Sequence, residues 1–441
     1  MSVFHVRRAL VGSAITLIVA GVMATSGCGI STSSAGSDSN SNEITVWSQL
    51  AGNDGELKVL KQAIKDYNAS SSKKATVKLQ TFPSTSYNTS VTSAASGGTL
   101  PCVVAVDEPN IPNWAWSGIL TPLTDAKLLA RTKDLLPSTV GKYNGKTYGL
   151  GNYDATVGLF ARKSVLKKLG IRIATVDDPW SQSELEDALA KMKASNQWTY
   201  PFEMGTKDTT SEWYSYGFSP ILQSFGGDLI NRSDYQSADG SLNGAAAVKF
   251  AKWMRNLVTK GYTSSKGASD TALAFANNKV GLLYGGMWSW SSFNQYAKDK
   301  DDIVSMPMAD FGKGLISPGG SWETALTKTC NNKAAAQDYI RFSLQDKYMA
   351  AASKAGMNIP ASEGARKLVP EFDKGGSMEV FVEISKKKVV MRPLTPAYSY
   401  IQSQFATSLS DILNGADAQS TLDKLTSSID SNIKTNNGYK A

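Results

Sequence analysis

The spacing of hydrophobic and polar positions changes along the chain, and each spacing predicts an element. Residues 42–47 (NEITVW) alternate and are β-rich, which predicts a strand. Residues 54–69 place Leu57, Leu60, Ile64 and Tyr67 at helical spacing. Residues 75–82 (ATVKLQTF) read as a second strand and 86–96 (SYNTSVTSAAS) as a helix. Residues 101–106 (PCVVAV) are short, mostly apolar and β-branched, as in a buried parallel strand. Strand, helix, strand, helix, strand predicts an open α/β sheet. Ligands of such sheets sit at the carboxyl ends of the strands. That puts Trp47 and residues 107–110 (DEPN) at a rim where a ligand could lie.

The remainder is richer in helix. Residues 181–195 open with a capping box, Ser181 and Glu184. Residues 244–261 are amphipathic, with Gly261 marking the end. Residues 334–345, 397–415 and 418–434 read the same way. No internal repeat of 20–50 residues is present. Long helices appended to α/β units predict two lobes joined by several crossings.

One stretch breaks these patterns. Residues 9–25 (ALVGSAITLIVAGVMAT) are almost entirely apolar and uncharged, behind Arg7 and Arg8. Charge, apolar run and then small residues predict a secretion signal over 1–27. A transmembrane anchor is the alternative, although the run is at the short limit for a span. The residues SGC, ending at Cys28, resemble a bacterial lipoprotein box, with Thr25 where an aliphatic residue is usual. That resemblance implies a lipid-modified Cys28, and two or more acyl chains anchor stably. Residues 28–42 are rich in Ser, Gly and Asn and read as a flexible tether. The expected location is the extracellular face of the cell membrane.

Composition narrows the chemistry. About 400 residues remain after the leader, enough for two cores. The formal charge is +8, but the basic residues are scattered, with small runs such as Lys386–Lys388. No dense basic stripe or nucleic-acid motif accompanies them, so no nucleic-acid partner is expected. The single histidine, His5, belongs to the leader. A mature chain without histidine has no imidazole base, triad or zinc site. Neither metal nor cofactor is expected. Of three cysteines, Cys102 and Cys330 remain once Cys28 is used, and an oxidising compartment permits them to pair.

Six blocks, in order, resemble carbohydrate-binding solute-binding proteins of bacterial ABC importers, the group that includes maltose-binding protein. They are PCVVAVDEPNIPNWAWSGILTPL, YNGKTYGL with VGLFARKSVLKKLG, YSYGFSPILQSFGGDLI, ALAFANNKVGLLYGGMWSW and SPGGSWETALTKTCNNKAAAQDYIRF. Gly151, Asn152, Ala161 and Val280–Leu283 depart from the group's usual residues. The resemblance implies a two-lobed, periplasmic-binding-protein-like α/β fold with hinge crossings and a ligand cleft. Lobe one would comprise 43–155 plus 303–330, and lobe two 156–302 plus 331–441. Cys102 and Cys330 would then lie together at the far end of lobe one, as a disulfide. A monomer delivering an oligosaccharide to ABC permease subunits is the implied role.

A sugar has apolar C–H faces and a rim of hydroxyls, which suits flat aromatics beside convergent hydrogen bonders. The chain repeats this pairing, and the candidate ligand residues are Trp47, Glu108, Tyr153, Asp154, Glu212, Trp213, Trp288, Trp290, Trp322, Glu323, Arg392 and Tyr398. Trp288 is the leading platform. Trp290 lies some 200° further round if a helix begins there, so it is the weaker ligand contact. Trp114 and Trp116 read as core or hinge packing. Two other readings stay open. One is a secreted glycoside hydrolase recruiting two of Asp107, Glu108, Glu212 and Glu323. The other keeps the fold with a peptide, polyamine or metal as cargo.

Overall fold

The computed structural model describes residues 42–320 and 322–440. The expected signal sequence, Cys28 and nearly all of the tether lie outside the described residues. The strands run in chain order as β1 (Glu43–Ser48), β2 (Thr76–Thr81), β3 (Val103–Asp107), β4 (Val140–Tyr143), β5 (Lys146–Gly151), β6 (Tyr153–Asp154) and β7 (Val157–Arg162). They continue as β8 (Phe202–Glu203), β9 (Leu282–Gly286), β10 (Ile303–Met306), β11 (Ser317–Pro318), β12 (Trp322–Leu326), β13 (Ile359–Pro360) and β14 (Val389–Val390).

The first lobe is built on a six-stranded sheet of order β2-β1-β3-β12-β5-β4. β1 is parallel to β2 and β3, while β12 runs antiparallel between β3 and β5. The β4–β5 hairpin turns at Asn144-Gly145, both at positive φ (46° and 72°). Asn-Gly is the pair that accepts this geometry, because a turn with two left-handed residues matches the twist of the flanking strands. Helix Asp54–Ala69 is fixed at its start by Asn53, whose Oδ1 accepts from Glu56 N at 3.2 Å. Ile64 and Tyr67 are buried as the spacing predicts, but Leu57 and Leu60 are only partly so, and Glu56 takes a buried place.

The second lobe holds a four-stranded sheet of order β10-β7-β9-β8. The capping box opens helix Gln182–Ala194 as expected: Ser181 Oγ accepts from Glu184 N at 3.2 Å, and Glu184 Oε2 from Ser181 N at 2.9 Å. The amphipathic helices are Ala245–Thr259, Tyr398–Leu413 and Ala418–Thr435.

The division of the chain differs from the sequence expectation in two places. β10 pairs with β7, so residues 303–306 belong to the second sheet and not to lobe one. Helices Lys333–Ser343 and Asp346–Gly356 pack on helix Asp54–Ala69, so this stretch covers the first sheet although it follows residue 331. The reason is connectivity: β12 returns to the first sheet, and the chain stays there until its apolar helices are buried.

Crossings join the lobes beside the cleft. β6 pairs with β13, and β11 with β14. Thr156 Oγ1 and Ser317 Oγ lie 2.5 Å apart, which ties two crossings together. At the other end of β3, Cys102 and Cys330 form a disulfide with Cα atoms 4.3 Å apart. The antiparallel register of β12 on β3, Val103 opposite Leu326, brings the two cysteines together. Trp114 is core, as expected, whereas Trp116 is exposed and meets Tyr439 edge-on at 4.9 Å.

Candidate functional site

β9 ends at Gly286, and helix Ser289–Tyr296 starts after Trp288. The Trp288 indole lies over Gly286, where a Cβ would fall 2.2 Å from the ring. Only glycine permits this close approach. The residue stays 36% exposed, among the most accessible large aromatics of the described residues. Tyr216 lies 6.0 Å from it at a tilt, and Trp213 6.3 Å away edge-on. Trp213 is held by Nε1 donating to Met204 O at 2.7 Å. It immediately precedes a π-helical turn, Tyr214–Phe218. Such turns recur at functional sites, since the extra residue re-aims its neighbours. The result is an aromatic wall with one open face.

Trp290 does something else. It is buried, and its Nε1 donates to Ser305 Oγ at 2.9 Å. The helix turns it into the core, so its place among the ligand residues is corrected. Trp47 and Trp322 belong to the first lobe. Trp47 is buried against Phe82 at 4.6 Å, and half-buried Trp322 meets Tyr87 edge-on at 5.6 Å. Both line a cavity of about 90 Å³ with Gln49, Glu56, Tyr153 and Tyr348. That cavity extends under the rim toward helix Asp54–Ala69.

A buried polar network crosses the middle of the molecule. The Arg392 guanidinium grips both oxygens of Asp107, at 2.7 and 2.5 Å, in a fork-to-fork pair. It also donates to Glu212 Oε2 at 3.2 Å and lies over the Tyr216 ring, 4.8 Å from its centre. Tyr398 OH donates to Glu212 Oε2 at 2.5 Å. Asn110 and Asn88 donate to Glu212 Oε1 at 2.9 and 3.3 Å. Burial alone would lower the Arg392 pKa, but Asp107, Tyr398 and Glu212 outweigh it and hold the cation. Burial raises Glu212, Asp107 adds to the rise, and Arg392, Tyr398 and Asn110 oppose it.

Glu108 follows Asp107 and is buried, with Oε2 lacking a hydrogen-bond partner among the described residues. Burial pushes its carboxyl up to about 8; Arg392 pulls it back, and the charges of Asp107 and Asp154 push it further. The group is therefore largely protonated at neutral pH. Glu323 is driven well above the carboxylate range by burial and by Glu108. Its Oε2 accepts from Gly141 N at 2.9 Å, in a space that a Cβ at Gly141 would fill.

Asp154 is a crossing clamp and not a cleft residue. Its Oδ1 accepts from Ala155 N and Gly320 N, both at 2.8 Å, and its Oδ2 from Ser138 Oγ at 2.8 Å. Of the candidates, the structure thus brings Trp213 and Trp288 together as a wall. Glu212, Arg392 and Tyr398 form a network, and Trp47, Tyr153 and Trp322 line the small cavity. Trp290 and Asp154 are buried away from that cavity, while Glu323, also buried, is among its lining residues. Sequence reasoning missed Asn88 and Tyr216. Tyr216 lay inside a block already singled out, while Asn88 sits in a Ser/Thr-rich helix with no distinguishing signal. Of the four carboxylates considered for hydrolysis, Asp107 and Glu212 are engaged by Arg392, and Glu108 and Glu323 are buried.

Residues 62–379, more than half of the sequence, match the bacterial extracellular solute-binding protein family, and the chain belongs to it. No curated sequence matches the chain. Several solved structures share its fold at low identity. The GacH receptor of Streptomyces glaucescens, solved unliganded and with acarbose, has a TM-score of 0.76 at 21% identity, covering 90% of this chain and 99% of that one. The maltose/maltodextrin-binding domain MalE of Bdellovibrio bacteriovorus, bound to maltotriose, has 0.73 at 18%, covering 89% and 100%. The ABC substrate-binding protein Lmo0181 of Listeria monocytogenes, in complex with cycloalternan, has 0.72 at 20%, covering 89% and 99%.

Proposed function

We propose that this protein captures an oligosaccharide outside the cell and hands it to an ABC permease. The observation that carries the reading is the exposed Trp288 ring, backed by Tyr216 and Trp213. An indole face covers the apolar side of a pyranose, and neighbouring amides and carboxylates take its hydroxyls. Neighbours of the same fold bind acarbose, maltotriose and cycloalternan, which favours a sugar over a peptide. Closure of two lobes about a hinge then encloses the ligand. Lipid on Cys28 and the tether that follows it hold the binding body, as a monomer, near the permease.

A thermal-shift screen against di- to tetrasaccharides, followed by calorimetry, tests this. A true ligand at a hundred times its Kd stabilises the protein by about 2.7 kcal/mol, and no sugar is cleaved on incubation. No shift with any such sugar at millimolar concentration refutes the proposal.

A further inference from the structure

Glu212 was expected to meet the ligand, and its carboxylate accepts from residues on opposite sides of the cleft. Asn88 lies on helix Ser84–Ser96 and Asn110 directly after β3, both in the first lobe. Glu212 precedes the π-helical turn of the second lobe. Arg392 and Tyr398 come from the segment that follows β14, at the crossings. Each Glu212 oxygen accepts two hydrogen bonds, which fills most of a carboxylate's capacity. Ser399 Oγ donates to Asn110 Oδ1 at 2.9 Å, and so turns the Asn110 amide nitrogen toward Glu212. Gln402 Nε2 donates to Ser211 O at 2.7 Å and pins the backbone beside it.

We propose that Glu212 is an interlobe clasp, a positioning group that favours the closed arrangement of the lobes through bonds to Asn88 and Asn110. This rests on the two-lobed solute-binding reading but not on the ligand being a sugar. Parting the lobes breaks the two asparagine bonds to Glu212, and Arg392, forked onto Asp107 of the first lobe, must leave either Asp107 or Glu212. The clasp acts whatever the cleft holds, so it sets the ratio of closed to open molecules. By population arithmetic, a tenfold change in that ratio changes the apparent affinity by up to the same factor.

Small-angle scattering of the protein without added ligand tests the clasp. Glu212→Ala is expected to raise the radius of gyration, and the Asn88→Ala/Asn110→Ala double variant to raise it comparably. Combining all three changes is expected to add little, because they remove one set of bonds. Glu212→Gln keeps the shape but loses the charge, and is expected to fall between. An unchanged radius of gyration in folded Glu212→Ala overturns the proposal, with circular dichroism reporting the fold. Where Glu212→Ala fails to fold, the double asparagine variant decides alone, since it removes no charged group and leaves Arg392 and Tyr398 on Glu212; an unchanged radius overturns the proposal there too. A failed sugar screen leaves this measurement untouched, so the two ideas fail separately.

Discussion

Removing the Trp288 ring is the sharpest probe of the binding face. A tryptophan side chain presents about 250 Å², and Trp288 is 36% exposed. A stacked ligand can therefore cover at most about 90 Å² of it. At about 25 cal/mol per Å² that contact contributes about 2 kcal/mol, or roughly 30-fold in Kd. Trp288→Ala is expected to weaken binding by about that factor in calorimetry with the tightest sugar from the screen. Its Tm should fall as well, because the covered part of the side chain packs on Gly286, Trp213 and Tyr216, so Kd is read at a temperature where the variant is folded. Trp290→Ala is the contrast: it empties a core site and breaks the bond to Ser305, so it should lose about 3–5 kcal/mol of stability. An unchanged Kd in folded Trp288→Ala refutes the stacking argument.

Two further outcomes are expected. Glu108 titrates near 8 in the folded protein against 4.5 for an ordinary glutamate, so the folded state keeps a proton that the unfolded chain releases. Its contribution is present in full below about pH 4.5 and is lost as the pH rises toward 8, at most about 5 kcal/mol in all. Glu108→Gln carries no such proton and should flatten the fall of Tm between pH 5 and pH 9; an unchanged slope contradicts the assignment. The Cys102–Cys330 bond spans 228 residues, and loop closure of that size is worth at most about 5 kcal/mol. Cys102→Ser should lower Tm and leave ligand affinity unaltered, since the bond lies at the end of β3 away from Asp107; a changed Kd would argue against a purely structural bond.

Much of the architecture was written in local patterns. The strand and helix periods of the first lobe, the Ser181–Glu184 box and the tight hairpin each depend on residues within a few positions of one another. Such signals survive in the one-dimensional chain because the physics that reads them is short-ranged. The placement of Trp290 shows the same logic: two residues of helix rotate it away from Trp288 and into the core. The membership of each lobe was harder to read, because β10 and helix Lys333–Ser343 join partners far away in the chain.

The sequence by itself determined the α/β class, the order of most elements and the presence of aromatics suited to a sugar face. Tertiary structure alone decided what the charged residues do. Asp107 meets Arg392 across 285 positions, and Glu212 meets Asn88 across 124. Nothing in the residues near either partner marks such a meeting. A carboxylate has the same local signature whether it will face a ligand, cap a backbone or clasp another lobe. Its role is set by burial and by which donors arrive, and both are properties of the assembled fold.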